Sequence, residues 1–169
     1  MGPPGAGKSS VGRSLAQRLD LELRDTDTLI EKKVGLTVSE IFLDKGEPFF
    51  RECEREIVLE ELRTFSGILA LGGGSVLDPI TAEALTASGD AIVFLDVSLA
   101  SAAPRIGFNR DRPLLVGNPR AKWQELMNLR RPIYEGLATF TVSTDSATPS
   151  QVAADIATKL AARKAIHEK

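Results

Sequence analysis

A glycine-rich stretch at the start of the chain constrains its fold more than any other feature. Residues 2–9 read Gly-Pro-Pro-Gly-Ala-Gly-Lys-Ser and match the pattern G-x-x-x-x-G-K-[ST], in which backbone N–H groups turn inward around a phosphate. The apolar residues that follow are spaced as on one face of a helix: Val11, Leu15, Ala16 and Leu19. The loop therefore leads into a helix N-terminus, where the helix dipole also favours an anion.

The lysine and serine that close this pattern indicate which ligand the loop holds. Lys8 can reach the outer phosphates of ATP, and Ser9 can ligate a Mg²⁺ ion that bridges them. The alternative, a glycine-rich turn with a lysine there by chance, does not account for the amphipathic helix that follows. We therefore predict ATP and Mg²⁺ as ligands, with a nucleotide-binding segment made of Gly5, Ala6, Gly7, Lys8, Ser9 and Ser10.

Length and composition are those of one ordinary domain, residues 1–169, with a hydrophobic content of 43%. A formal net charge of −2 gives no reason to expect nucleic acid or a membrane surface as partner, and we find no membrane-spanning run or signal-peptide pattern. Cys53 is the only cysteine, which excludes an intrachain disulfide and favours a small buried side chain over a reactive thiol. We expect a cytoplasmic protein, and a monomer because no long apolar stripe is evident.

Short apolar runs alternate with helical patterns along the chain. Residues 68–71 and 91–95 are wholly apolar, as strands buried on both faces are, and helices are predicted between and after them. Such alternation implies parallel strands with right-handed crossovers, hence a three-layer α/β domain. Ligands of such sheets bind beyond the carboxyl ends of the strands. The P-loop, Asp25 with Asp27, and residues 72–74 all lie at those predicted ends.

Two aspartates follow a short strand predicted at 21–25. Asp27 can accept a hydrogen bond from, or the proton of, an attacking hydroxyl group, and Asp25 can hold Mg²⁺ through water. The alternative is that Asp27 is only the N-cap of the following helix. The nearby P-loop favours the catalytic interpretation.

Three arginines near predicted element ends are candidates to bind an anionic substrate: Arg51, Arg112 and Arg130. The guanidinium group is a planar fork that matches a carboxylate or phosphate, although a solvated surface role is the usual alternative for any one arginine. Arg51 follows two phenylalanines, which suggests a guanidinium beside an aromatic wall. Residues 107–120 form a charged segment that we interpret as a lid bringing Arg112 over the phosphates.

Six short motifs occur in a fixed order along the chain. They are Gly5-Ala6-Gly7-Lys8-Ser9, Asp25-Thr26-Asp27, Gly46-Glu47 with Phe50-Arg51 and Glu54, Leu71-Gly72-Gly73-Gly74-Ser75-Val76, Asn109 with Arg112-Pro113-Leu114, and Arg130-Arg131-Pro132-Ile133-Tyr134. In these motifs and their order the chain resembles the shikimate kinases over essentially its whole length. Six ordered motifs are far more specific than a P-loop alone.

The resemblance implies a P-loop kinase fold like that of the nucleoside monophosphate kinases, with a five-stranded parallel sheet in the order 2-3-1-4-5. It also implies a substrate-binding insert at about 26–66 and a lid at about 107–120. The implied reaction moves the γ-phosphoryl group of ATP to the 3-hydroxyl of shikimate and gives shikimate 3-phosphate and ADP. This reaction is a step toward chorismate and the aromatic amino acids.

On the acceptor side, the resemblance implies that Asp27 binds the shikimate hydroxyls and acts as the base. Arg51 and Arg130 would clamp the carboxylate, which rejects acceptors that lack one, and Arg131 is the less certain member of its arginine pair. Gly73 would donate its backbone N–H to the substrate. The apolar face of the ring pocket would be lined by Val38, Phe42 and Phe50.

On the nucleotide side, the resemblance implies that Lys8 and Arg112 stabilise the transferring phosphoryl group. Ser9, with Asp25 through water, would hold Mg²⁺. Many relatives have an arginine packed on adenine near the C-terminus, but residues 146–149 here read Ser-Ala-Thr-Pro. We therefore expect adenine to contact Arg105, backbone groups or apolar side chains, with weaker ATP affinity as a result.

A second departure concerns the strand that normally precedes a P-loop, because only Met1 stands before Gly2. In the family this strand is central, so we expect a slot between residues 68–72 and 91–95 with unpaired backbone groups on both sides. We interpret Met1 as the end of that strand and expect translation to start upstream at a non-Met codon. Mass spectrometry of the native protein tests this expectation, which an N-terminus at Met1 with full activity contradicts.

Two other functions remain open at this level. Another small-molecule kinase of the same fold, such as a gluconate kinase or a nucleotide kinase, would need neither the arginine pair nor the triple glycine. A truncated nucleotide-binding module without catalysis would bind ATP but turn over no acceptor.

Overall fold

The computed structural model describes residues 1–106 and 118–167, in which helices surround short strands. The helices are α1 (Lys8–Leu19), α2 (Thr26–Val34), α3 (Val38–Asp44), α4 (Gly46–Thr64), α5 (Pro79–Ala87), α6 (Leu99–Ile106), α7 (Pro119–Leu137) and α8 (Pro149–His167). The strands are β1 (Leu23–Asp25), β2 (Ile68–Ala70), β3 (Val93–Asp96) and β4 (Phe140–Ser143), and a 3₁₀ turn covers Ser75–Leu77. This alternation confirms the predicted α/β class.

Local sequence signals set the helix ends next to the predicted aspartates. α2 follows Asp25, whose side chain accepts the backbone N–H of Asp27 at 3.1 Å. The same helix ends at Gly35, whose left-handed φ of 78° favours glycine. α3 begins at a capping box between Thr37 and Glu40. These caps fix where the chain turns after the carboxyl end of β1.

The strands form two parallel pairs within the described residues, β1 with β2 and β3 with β4. Met1 lies on the other edge of β3, where its amino group donates to the Val93 carbonyl at 2.8 Å. The Leu95 N–H in turn donates to the Met1 carbonyl at 2.9 Å. Met1 therefore stands where the resemblance places the central strand. If the strand at Met1 is counted first, then β1, β2, β3 and β4 of this structure are strands 2, 3, 4 and 5 of the family, and their order agrees with 2-3-1-4-5.

A cavity of about 380 Å³ separates the two strand pairs. Apolar side chains of the strands and of α1 and α8 line it, among them Leu15, Leu69, Val93 and Ile156. The cavity lies where the slot was expected, but the β3 backbone on its side is partly paired, with Met1.

Two apolar clusters hold the elements together. The larger one joins α1, α5, α7 and α8 to the strands, with Phe94 and Tyr134 fully buried in it. The smaller one lies among α2, α3 and α4, in the predicted substrate-binding insert, and is centred on Ile30, Ile41 and Phe50. Cys53 belongs to this second cluster, and burial raises the pKa of its thiol. The interpretation of Cys53 as a small buried side chain is confirmed.

The structure differs from the expected bounds of the predicted lid. Residues 119–120 of the predicted lid lie in the first turn of α7, because Asn118 caps that helix and Pro119 suits its first position. The rest of the predicted lid, residues 107–117, lies outside the described residues.

No helix in the described parts of the chain is long and apolar enough to cross a membrane.

Candidate active site

The P-loop has a backbone shape that requires glycine. Gly5 and Gly7 both have φ of 83°, in the left-handed region that side chains disfavour. A Cβ atom at Gly5 would also lie 3.0 Å from Ala102 and from Ile106 of α6. The Nζ atom of Lys8 donates to the carbonyls of Gly2 at 3.0 Å and of residue 3 at 3.3 Å, so the lysine folds over the loop that precedes it.

A cavity of about 410 Å³ opens at this loop. Residues 5–10 form one wall, and Asp25 and Asp27 lie on the same cavity. Arg105 lies on it as well; its guanidinium donates to the Gly5 carbonyl at 3.3 Å and to the Thr144 carbonyl at 2.6 Å. The structure thus brings together the predicted nucleotide-binding, metal-binding and basic residues. Arg112 lies outside the described residues.

Asp25, not Asp27, caps α2, so the capping interpretation of Asp27 was wrong. One oxygen of Asp25 accepts the Asp27 N–H, and the other accepts the Ser9 hydroxyl at 2.7 Å. A hydroxyl and a carboxylate side by side are the hard oxygen ligands that Mg²⁺ prefers, so these residues fit the ion. The described residues contain no cluster of three or more His, Cys, Asp or Glu side chains suited to a metal. A cation at Ser9 and Asp25 would therefore also need phosphate or water oxygens.

Asp27 has the proton affinity of a general base that works near neutral pH. Burial raises the pKa of its carboxyl to about 6, and the charge of Asp25 acts in the same direction. Lys8 opposes this shift, while Glu54 and Glu31 add to it. A group with this pKa is mostly ionised at pH 7 and still accepts a proton readily.

The three consecutive glycines after β2 each lie against a different predicted substrate-binding side chain. A Cβ atom at Gly72 would lie 3.0 Å from Asp27 Oδ1, and one at Gly73 would lie 3.4 Å from Arg130 Nη1. One at Gly74 would overlap the guanidinium of Arg51. These side chains come from three different helices: Asp27 from α2, Arg130 from α7 and Arg51 from α4. All three lie against the loop formed by residues 72–74.

The two arginines of the predicted clamp are held differently. Arg51 donates to Glu47 at 3.0 Å and to Glu54 at 2.6 Å, with its guanidinium 5.2 Å from the centre of the Phe50 ring. The expected aromatic wall beside Arg51 is thus present. Arg130 is only 5% exposed, and its Nε has no hydrogen-bond partner among the described residues. A buried donor of this kind normally has an acceptor, which water or a bound ligand would supply beside Arg130.

The predicted apolar wall belongs to the smaller core cluster. Val38 and Phe42 pack against that cluster, and the Phe42 and Phe50 rings are 4.9 Å apart. Phe50 is also the ring that faces Arg51. The apolar wall therefore adjoins the Arg51 side of the predicted clamp, through Phe50.

Several residues that support the site had no predicted role. Thr26 accepts the Gly72 N–H at 2.9 Å, and Ser75 donates to the buried carboxylate of Glu54 at 2.7 Å. Tyr134 donates to the Gly73 carbonyl. Glu54 stands three residues after Arg51 and Tyr134 four after Arg130, which is the spacing of neighbours on a helix. That spacing is the signal that could have linked them to the arginines.

Known proteins of one family are similar to this chain over nearly its whole length. A family model described as "Shikimate kinase" matches residues 4–161. The chain is 50% identical to the shikimate kinase of Thermobifida fusca over 96% of this chain and 93% of that protein. It is 47% identical to the shikimate kinase of Rhodococcus jostii over 95% of each chain.

Solved structures of similar proteins have the same fold. The shikimate kinase of Acinetobacter baumannii, solved in complex with shikimate, matches with a TM-score of 0.92 and 35% identity, over 96% of this chain and 91% of that one. The shikimate kinase of Aquifex aeolicus matches with a TM-score of 0.84 and 27% identity, over 97% of this chain and 95% of that one.

Proposed function

The chain belongs to the shikimate kinase family, and on that premise we propose how its own residues bind shikimate and phosphorylate it. It is an ATP-dependent phosphotransferase that transfers the γ-phosphoryl group to the 3-hydroxyl of shikimate. One observation supports the proposed division of roles above all others. Asp27, Arg130 and Arg51 lie against the three consecutive glycines 72–74, while Asp27 shares a cavity with Lys8 of the P-loop.

Asp27 is proposed as the general base and as a ligand of the shikimate hydroxyls. Its carboxylate accepts the proton of the 3-hydroxyl as that oxygen bonds to the γ-phosphorus, and the bond from phosphorus to the ADP oxygen breaks. The pKa of about 6 supports this role, because the carboxylate is ionised at neutral pH yet still basic.

Arg130 and Arg51 are proposed to clamp the shikimate carboxylate. The unpartnered, buried Nε of Arg130 supports this role, because a desolvated guanidinium is best satisfied by an anion. Arg51 is already oriented by Glu47 and Glu54, which lowers the entropy lost when it binds the substrate carboxylate as well. Gly73 would add a backbone N–H, and Phe50 with its neighbours would cover the apolar face of the ring.

Lys8 and the P-loop N–H groups are proposed to bind the outer phosphates of ATP, with Arg105 at the end of the same cavity nearer to adenine. The position of Arg105 between Gly5 and Thr144 supports this role. Arg112 is proposed from the resemblance alone, as a second cation on the transferring phosphoryl group.

Mg²⁺ is the proposed metal, held by Ser9 and, through water, by Asp25. The 2.7 Å contact between their oxygens supports a shared position for a hard cation. When bound, the ion neutralises charge on the β- and γ-phosphates of ATP. We also propose that the protein is a monomer and acts in the cytoplasm, where ATP is available; light scattering on the eluted protein tests the first point.

The experiment that tests the function compares acceptors directly. ADP formation is measured with shikimate, gluconate and nucleoside monophosphates at equal concentrations. We expect turnover with shikimate only. Neither of the other two acceptors should be able to place a carboxylate at Arg130 and, at the same time, a hydroxyl at Asp27. Preference for gluconate or a nucleotide contradicts the proposal, and so does ATP binding without turnover on any acceptor.

A further inference from the structure

One face of α7 is buried along its whole length and contacts both substrate-binding loops. Its buried side chains recur at intervals of four, three and four residues: Trp123, Met127, Arg130 and Tyr134. Trp123 and Tyr134 are eleven residues apart, so they lie on the same face about three turns, or about 16 Å, from each other. Both carry a polar donor on an otherwise apolar side chain.

Each donor binds the backbone of a different loop. Trp123 Nε1 donates to the Pro4 carbonyl of the P-loop at 2.9 Å. Tyr134 Oη donates to the Gly73 carbonyl at 2.5 Å. Because a trans peptide group is planar, a carbonyl held by a hydrogen bond also fixes the N–H of the next residue, which lies in the same plane and points the opposite way. The two bonds therefore orient the peptide that carries Gly5 N–H and the peptide that carries Gly74 N–H.

The Trp123 and Tyr134 side chains that carry these donors are both buried. Trp123 is 2% exposed and Tyr134 is fully buried. The Tyr134 ring stacks on Phe94 with 5.0 Å between ring centres. Burial raises the pKa of its hydroxyl, against the opposing effect of Arg130, so Tyr134 stays protonated and remains a donor at neutral pH. A buried hydrogen bond whose donor is deleted leaves an unsatisfied carbonyl, which is costlier than the loss of an exposed bond.

We propose that Trp123 and Tyr134 are positioning residues: Trp123 sets the P-loop for ATP, and Tyr134 sets the glycine loop and Arg130 for shikimate. α7 thus supports each of the two substrate sites through a separate donor on the same face. This inference rests on the proposed function, because it assigns the glycine loop to the acceptor.

Two conservative substitutions separate the roles. Trp123→Phe and Tyr134→Phe each remove the donor and keep an aromatic ring. We expect Trp123→Phe to raise KM for ATP about fivefold or more and to leave KM for shikimate within about twofold, and Tyr134→Phe to do the reverse. Thr81→Val is the matched control, because the Thr81 hydroxyl is buried and has no hydrogen-bond partner among the described residues. Both KM values should be unchanged in that variant.

Spectroscopy tests the same inference without any substitution. The chain has one tryptophan and one tyrosine, so growth with 5-fluorotryptophan or 3-fluorotyrosine labels Trp123 or Tyr134 alone for ¹⁹F NMR. We expect ADP to shift the fluorotryptophan resonance and not the fluorotyrosine resonance, and shikimate to do the opposite. This measurement needs no variant to fold.

The two levels of the proposal fail differently. If the unsubstituted protein does not phosphorylate shikimate, the proposed function is wrong. If it does, but both variants change both KM values alike, change neither, or show the reverse pattern, the positioning roles are wrong. The same holds if either ligand shifts both ¹⁹F resonances or neither.

Discussion

The Ser9 hydroxyl donates to Asp25 at 2.7 Å and so joins the first turn of α1 to the start of α2. The other oxygen of Asp25 caps α2. Because Asp25 carries out the capping, the carboxylate of Asp27 is not required to begin the helix. The Asp27 carboxylate can therefore accept a proton from the substrate without loss of the helix cap.

Asp27→Asn should lower kcat by about 100-fold or more, because the variant keeps the shape of the side chain and removes the base. The dissociation constant for ATP should change little, since the P-loop is intact; isothermal titration calorimetry measures it. The melting temperature at pH 8 should stay the same or rise, because the substitution removes a buried charge near Asp25 and Glu54. A kcat within about threefold of the unsubstituted value would rule out Asp27 as the base.

The pH profile of the unsubstituted enzyme should report the same carboxyl group. The base acts only when ionised, and its pKa is raised to about 6. The value of kcat/KM for shikimate should therefore rise about tenfold per unit below pH 6 and level off above it. The residual activity of Asp27→Asn should lack this inflection. If the variant keeps the inflection, the titrating group is another residue.

Arg130→Lys tests the carboxylate clamp while keeping the positive charge. Lysine cannot form the planar fork, so KM for shikimate should rise about tenfold or more, with KM for ATP unchanged. Arg131→Lys is the matched control on the next residue, because Arg131 pairs with Asp96 at 2.7 Å and is 39% exposed. Equal effects of the two substitutions on KM for shikimate would contradict the assignment of Arg130.

Gly74→Ala tests whether Arg51 needs the space that glycine leaves at position 74. Gly74 has φ of −99°, which alanine also adopts, so the backbone is not strained by the change. The added methyl group would overlap the guanidinium of Arg51 and displace it, and KM for shikimate should rise. Gly136→Ala, where nothing lies within 4 Å of the added atom, should leave kinetics unchanged. An unchanged KM for shikimate in Gly74→Ala would show that shikimate binding does not depend on the observed position of Arg51.

The helices and strands were largely predictable because their signals are local. The capping residues before α3 and the apolar runs at 68–71 and 91–95 mark element ends within a few residues. The convergence of the P-loop with Asp25 and Asp27 was also predictable, since all lie at carboxyl ends of parallel strands.

The support of the site was not predictable in this way. The fit of Gly72, Gly73 and Gly74 to three side chains depends on how α2, α4 and α7 pack. The bond from Trp123 to Pro4 joins residues 119 positions apart. The choice of Asp25 over Asp27 as the N-cap of α2 depends on a difference of two residues in where the helix begins, which sequence patterns rarely resolve.

The most direct measurement is a crystal structure with shikimate and ADP bound. We predict the shikimate carboxylate on Arg51 and Arg130, its 3-hydroxyl within hydrogen-bonding distance of Asp27, and the β-phosphate of ADP in the P-loop beside Lys8. Shikimate bound away from the glycine loop 72–74, or with its carboxylate on residues other than Arg51 and Arg130, would contradict the proposed site.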